Sequence, residues 1–113
     1  MPIVRVRKSN TLGNFDNLAI ILKKVVAENL NVPGNPDGLL GLSDVEVYFD
    51  RFQICDRHSR DLEIIIEANL LPERLENLQD RTKLIVKELR KWIFQKYTFF
   101  VWVRLCPGAY VEG

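Results

Sequence analysis

The 113-residue chain is 47% hydrophobic and 27% charged, an ordinary globular mix that argues against disorder and predicts one domain over residues 1–113. Sixteen Lys and Arg against fifteen Asp and Glu leave a net charge of +1, so no global field draws the chain to nucleic acid. Its longest apolar runs, LAIIL and IFQKYTFFVWV, are too short or too interrupted to cross a bilayer.

MPIVRVRKSN opens with alternation and not with a charged segment followed by an apolar one, so no signal peptide is expected. Ile3 to Arg7 follow the two-residue period of a strand with one buried and one polar face. A turn-rich SNTLGNFDN follows. In FDNLAIILKKVVAENL, Phe15, Leu18, Leu22, Val25, Val26 and Leu30 recur at spacings of three and four, predicting an amphipathic helix of about four turns. NVPGNPDGLLGLSD, with two prolines and three glycines, ends that helix and predicts a long loop.

VEVYFDRF returns to strict alternation and predicts a second strand. The polar QICDRHSR leads to DLEIIIEANL, a third strand. Pro72 suits a first helical turn and Glu73 complements the helix dipole, so PERLENLQDRTKLIVKELRKWI predicts one helix burying Leu75, Leu78, Ile85, Leu89 and Trp92. TFFVWVRLC predicts the fourth strand, and PGAYVEG a turn and tail. Cys55 and Cys106 form no CxxC, and His58 lies three residues from Cys55 with no second pair to complete a zinc site. No metal or cofactor is expected, and both thiols are expected reduced in a cytoplasmic protein.

The order is β-α-β twice, an α+β fold. Each half pairs two parallel strands across a helix, and right-handed crossovers place both helices on one face of a single four-stranded mixed sheet. Val4, Val6, Val45, Val47, Phe49, Leu62, Ile64 and Ile66 are expected to face the helices. Arg5, Arg7, Glu46, Tyr48, Asp50, Glu63 and Glu67 then face away, with either Phe99, Val101 and Val103 or Phe100, Trp102 and Arg104 beside them. The second choice keeps the apolar alternation. Tyr48, Ile65 and Trp102 on an open sheet face suggest that this face lines the interior of a closed oligomer, against the plainer reading of a solvated face with weak surface ion pairs.

The β-α-β duplication, the chain length and the opening MPIVRV resemble the tautomerase superfamily, which includes oxalocrotonate tautomerase, macrophage migration inhibitory factor and carboxymethyl-hydroxymuconate isomerase. The segment VEVYFDRFQICDRHSRDLEIIIEANLLPERLENLQDRT resembles the hydroxymuconate isomerase branch in its order of strand, polar turn, strand and proline-led helix. The resemblance implies a homotrimer whose sheets form a central barrel, and a general base at the N-terminal proline, here Pro2, exposed once the initiator methionine is removed. Such a base would move a proton in an enol or unsaturated keto acid.

That chemistry also needs a cation or hydrogen-bond donor for the substrate carboxylate. Where relatives tend to carry an arginine early in the second strand, this chain has Glu46 and Tyr48. Arg51, Arg104 and Lys8 are the candidate cations, each with a structural alternative, and Trp102 and Tyr110 are candidate wall and hydroxyl. The substrate-binding set is therefore Tyr48, Arg51, Trp102, Arg104 and Tyr110, with Pro2 as catalytic residue. A non-catalytic oligomeric ligand-binding or regulatory protein is the competing reading, because β-α-β-β-α-β also describes ferredoxin-like modules. Neither DLEIIIEA nor VEVYFDRF supplies the aromatic stacking segment of an RNA-recognition module.

Overall fold

The computed structural model describes residues 2–8, 16–52, 60–93 and 97–107. Along the chain run β1 (Ile3–Lys8), α1 (Asp16–Leu30), β2 (Glu46–Arg51), β3 (Leu62–Asn69), α2 (Pro72–Glu76), α3 (Leu78–Arg90) and β4 (Phe99–Cys106). Phe15, Cys55, His58 and Tyr110 lie outside the described residues.

The alternation in IVRVR translates directly into burial, with Val4 and Val6 fully buried and Arg5 exposed between them. The strands form one sheet in the order β2-β1-β3-β4. β1 pairs with β2 in parallel and β3 with β4 in parallel, and the two halves join through the antiparallel β1–β3 ladder. α1 and α3 pack on the same face. Leu18, Leu22, Val25, Val26 and Leu30 of α1 join Ile85 and Leu89 of α3 over Val4, Val6, Leu62, Ile64 and Ile66 in one contiguous core. Burying side chains of this size stabilises by about 1.5–3 kcal/mol each relative to exposure, so this layer is the principal force holding the fold.

The loop from Asn31 to Val45 holds two short 3-10 turns, Pro36–Gly38 and Leu42–Asp44. Asn35 caps the first by accepting a hydrogen bond from the Asp37 amide, 3.0 Å. Gly38 is required by a close approach: a Cβ there would lie 2.6 Å from the Val32 Cβ and 3.0 Å from Leu71 Cδ1.

The second helical segment departs from expectation. It is not one helix but two, broken at Asn77, whose φ of −128° and ψ of 33° leave the helical region. Leu75 and Trp92, expected in the core, are 58% and 63% exposed. The side chain turned inward in α2 is Arg74, at 1% exposure. The reason lies at the end of α1. That helix has no basic residue in its own last turn, so its terminal carbonyls take their donors from elsewhere in the chain.

Candidate active site

Pro2 immediately precedes β1, shares the phase of Val4 and Val6, and is buried. Its carbonyl accepts a hydrogen bond from the Glu46 amide, 3.1 Å, which extends the parallel ladder by one residue. Ile3 lies opposite Glu67, so the antiparallel register carries Pro2 to the level of Ala68, next to the end of β3.

Arg74 reaches the same end of the sheet. Its Nη1 donates to the carbonyl of Asn69, the last residue of β3, at 3.1 Å, and its Nε donates to the Leu30 carbonyl at the end of α1, 2.8 Å. The remaining nitrogen, Nη2, is buried with no hydrogen-bond partner. Desolvation holds the Arg74 pKa below the ordinary arginine value, the nearby Arg81 charge adds to this, and Glu73 opposes it. A guanidinium this deep without a carboxylate is costly unless dipoles compensate it, and here the negative end of α1 supplies them. The result is a fixed positive group with one unused donor, on the helix-covered side of the sheet as Pro2 is.

Sequence reasoning missed Arg74, although a signal was present. Stepping back from the buried pair Leu89 and Ile85 by one helical turn at a time leads to Arg81, then to Asn77 or Leu78, then to Arg74. The core-facing stripe ends in arginines.

The other candidates lie elsewhere. On the uncovered face the register aligns Tyr48, Arg5, Ile65 and Trp102 in one row, and Ile3 and Glu67 with Arg104 in the next. Phe100, Trp102 and Arg104 are thus the β4 residues on this face. Tyr48 and Trp102 are 52% and 61% exposed. Tyr48 donates to Glu46 Oε2, 2.7 Å, and this bond to a carboxylate, reinforced by its charge, raises the phenol pKa. Arg5 pairs with Glu67 at 3.5 Å and Arg7 with Glu63 at 3.4 Å, both solvent-accessible pairs of small energetic weight.

Glu67, the register partner of Arg104, is bridged by Arg5, and among the described residues Arg104 and Arg51 form no ion pair. Arg51 stands five residues beyond Glu46 along β2, about 17 Å from the Pro2 end at roughly 3.3 Å per residue. Lys8, its ladder partner, is equally distant. Within one chain, then, the register puts Pro2 and Arg74 at the same end of the sheet on its helix-covered side. It leaves Tyr48, Arg51 and Trp102 farther along the edge strands, and Arg104 at that end but on the opposite face.

Solved structures share this fold. A malonate semialdehyde decarboxylase, studied as wild type, with its first-position proline replaced by alanine, and in inactivated form, overlays with a TM-score of 0.64 at 9% identity, covering 98% of this chain and 92% of that one. A macrophage migration inhibitory factor-like protein from Entamoeba histolytica gives 0.58 at 8% identity, over 95% and 90% of the two chains. A fused 4-OT solved as a symmetric trimer gives 0.52 at 15% identity, over 93% and 85%. The chain has the tautomerase-superfamily fold. At these identities the likeness is one of fold, and no protein-family model or curated protein matches the sequence. Within this fold, Pro2 leads the first strand of the first β-α-β unit, and Arg74 lies in the first turn of the helical segment of the second. No helix among the described residues is long and apolar enough to cross a membrane.

Proposed function

We propose that the chain is a tautomerase or isomerase that uses Pro2 as general base on a small carboxylated enol or unsaturated keto acid, with Arg74 holding the carboxylate. The observation that carries this reading is the placing of a buried proline and a buried guanidinium with an unused N–H at one end of the sheet.

Removal of Met1 turns the Pro2 nitrogen from an amide into a secondary amine. An α-amino group titrates near 7.7–8.0 in water, and an apolar site disfavours its charged form, which moves it toward neutrality at working pH. The neutral amine takes a proton from the carbon next to the substrate carbonyl, or from the enol oxygen. The resulting ammonium returns it to the other position, so proton and charge balance over one turnover. The proline ring restricts rotation about the N–Cα bond and keeps the nitrogen from swinging. A carboxylate on Arg74 Nη2 fixes the substrate in register with the base, and the low-dielectric surroundings strengthen that contact.

Assembly as a homotrimer completes the proposal. β2 and β4 are the sheet edges, so Tyr48, Arg51, Trp102 and Arg104 are the side chains a neighbouring subunit would meet. With Tyr110 they are proposed to wall the substrate across that junction. The fused 4-OT solved as a symmetric trimer supports this assembly by its fold. A single domain over residues 1–113 and a cytoplasmic location belong to the same proposal.

Mass spectrometry of the native protein is expected to show Met1 removed. Turnover of phenylenolpyruvate or 2-hydroxymuconate is expected to fall by roughly 10²–10⁴-fold in Pro2→Ala with unfolding unchanged. Full activity in Pro2→Ala rules the mechanism out. A retained Met1 favours the binding-protein reading, in which the Arg74 site takes a carboxylate without chemistry.

A further inference from the structure

The last carbonyls of α1 are shared between two arginines in an alternating order. Arg81 Nη1 donates to the Asn29 carbonyl at 2.9 Å and to the Asn31 carbonyl at 3.1 Å. Between them, the Leu30 carbonyl receives Arg74 Nε. Arg81 is held by its own anchor, Nε donating to Asn77 Oδ1 at 2.6 Å, at the residue where α2 and α3 part. The two guanidiniums therefore meet around one helix end, and Arg81 occupies both acceptors that flank the one used by Arg74.

A buried guanidinium holds one orientation only while the carbonyls that accept from it stay fixed. The Leu30 carbonyl that holds Arg74 Nε lies between the two carbonyls that Arg81 clamps, so Arg81 fixes the backbone on both sides of it. We infer that Arg81 is a positioning residue: by clamping the Asn29 and Asn31 carbonyls it fixes the Leu30 carbonyl between them, and with it the orientation in which Arg74 presents Nη2 to a substrate carboxylate. This rests on the proposed role of Arg74 and goes beyond it. The break at Asn77 then has a purpose, since it lets Arg74 and Arg81 approach α1 from two separate helical segments. Lysine does not replace this function, because it lacks the rigid fork that grips two carbonyls while a second nitrogen stays anchored.

Calorimetric titration of the full chain with oxalate, the probe for a small carboxylate, tests the inference. Arg81→Gln and Arg81→Lys are each expected to weaken oxalate binding roughly tenfold, and Arg74→Met to abolish it. In phenylenolpyruvate turnover the Arg81 variants are expected to raise KM by the same factor and leave kcat within about twofold, the signature of lost ground-state binding. Asn77→Ala removes only the Nε anchor and is expected to weaken binding roughly threefold, which carries the test should the Arg81 variants fold poorly.

Wild-type affinity in both Arg81 variants and in Asn77→Ala, alongside loss in Arg74→Met, overturns the positioning role and leaves the carboxylate site standing. Full recovery in Arg81→Lys also overturns it, because charge alone then accounts for the effect. A wild-type chain that fails to bind oxalate, or an Arg74→Met variant that binds it normally, overturns the site and the positioning role together.

Discussion

The two β-α-β halves follow the same order of elements and end differently. In the first, α1 runs unbroken from Asp16 to Leu30 and stops with no cation of its own. In the second, the helix breaks at Asn77 and sends Arg74 and Arg81 back onto the end of α1. The symmetric part of the fold makes the core, and the asymmetric part makes the candidate site. A duplicated unit gains a unique place only where its copies stop matching, and here that place is the end of the sheet that also holds Pro2.

The sharpest way to test this division is to compare cuts in its two parts. Leu22→Ala and Leu89→Ala remove equivalent fully buried side chains from the two halves, and each is expected to cost about 3 kcal/mol or more in urea unfolding. A difference of more than about 1.5 kcal/mol between them would show that the halves do not share one core equally. Arg74→Met keeps the apolar stem but orphans the Leu30 and Asn69 carbonyls, for an expected loss of about 2 kcal/mol. Amide exchange should then rise at the end of α1, in the half that was not mutated. Unchanged protection there would break the claim that one half caps the other.

Gly38→Ala places a methyl against Val32 and Leu71 and is expected to destabilise by about 1–2 kcal/mol, because the clash is with a Cβ and not with a flexible tip. The smallest effect belongs to the uncovered face. Tyr48 has a raised pKa in the folded chain, so the stability it contributes is present below the ordinary tyrosine value of 10.0 and lost as pH rises through the folded value. Tyr48→Phe is expected to give up that small contribution at neutral pH and, with it, the alkaline loss in a pH series of unfolding midpoints. A loss well beyond that of an exposed pair, or a changed mass by light scattering, would put Tyr48 in the subunit junction of the proposed trimer.

Much of the fold was legible in the residues. IVRVR and VEVYF alternate with period two, LEIIIE does so apart from Ile65, and Leu18, Leu22, Val25 and Val26 recur with the helical period, because each element had to bury one face. The faces of β4 followed from the same rule. Of the candidate site, Pro2 was legible from its place ahead of the first strand and from the resemblance it carried. Leu75 and Trp92 were misplaced because hydrophobicity alone ranked them above arginine for the interior.

By itself, then, the sequence determined the order of the strands, which residues of each face the helices, and the α1 side of the core, since these depend on spacing between near neighbours. Only the tertiary structure decided that Arg74 is buried and that Arg81 lies beside it. Their partners are the carbonyls of residues 29–31, some 44 to 52 positions away, and of Asn69 at the end of β3. Backbone carbonyls carry no residue identity, so no pattern along the chain announces where a helix end will need a donor. That need appears when α1 is packed beside α2 and α3, and it is met by the side chains that the packing brings within reach.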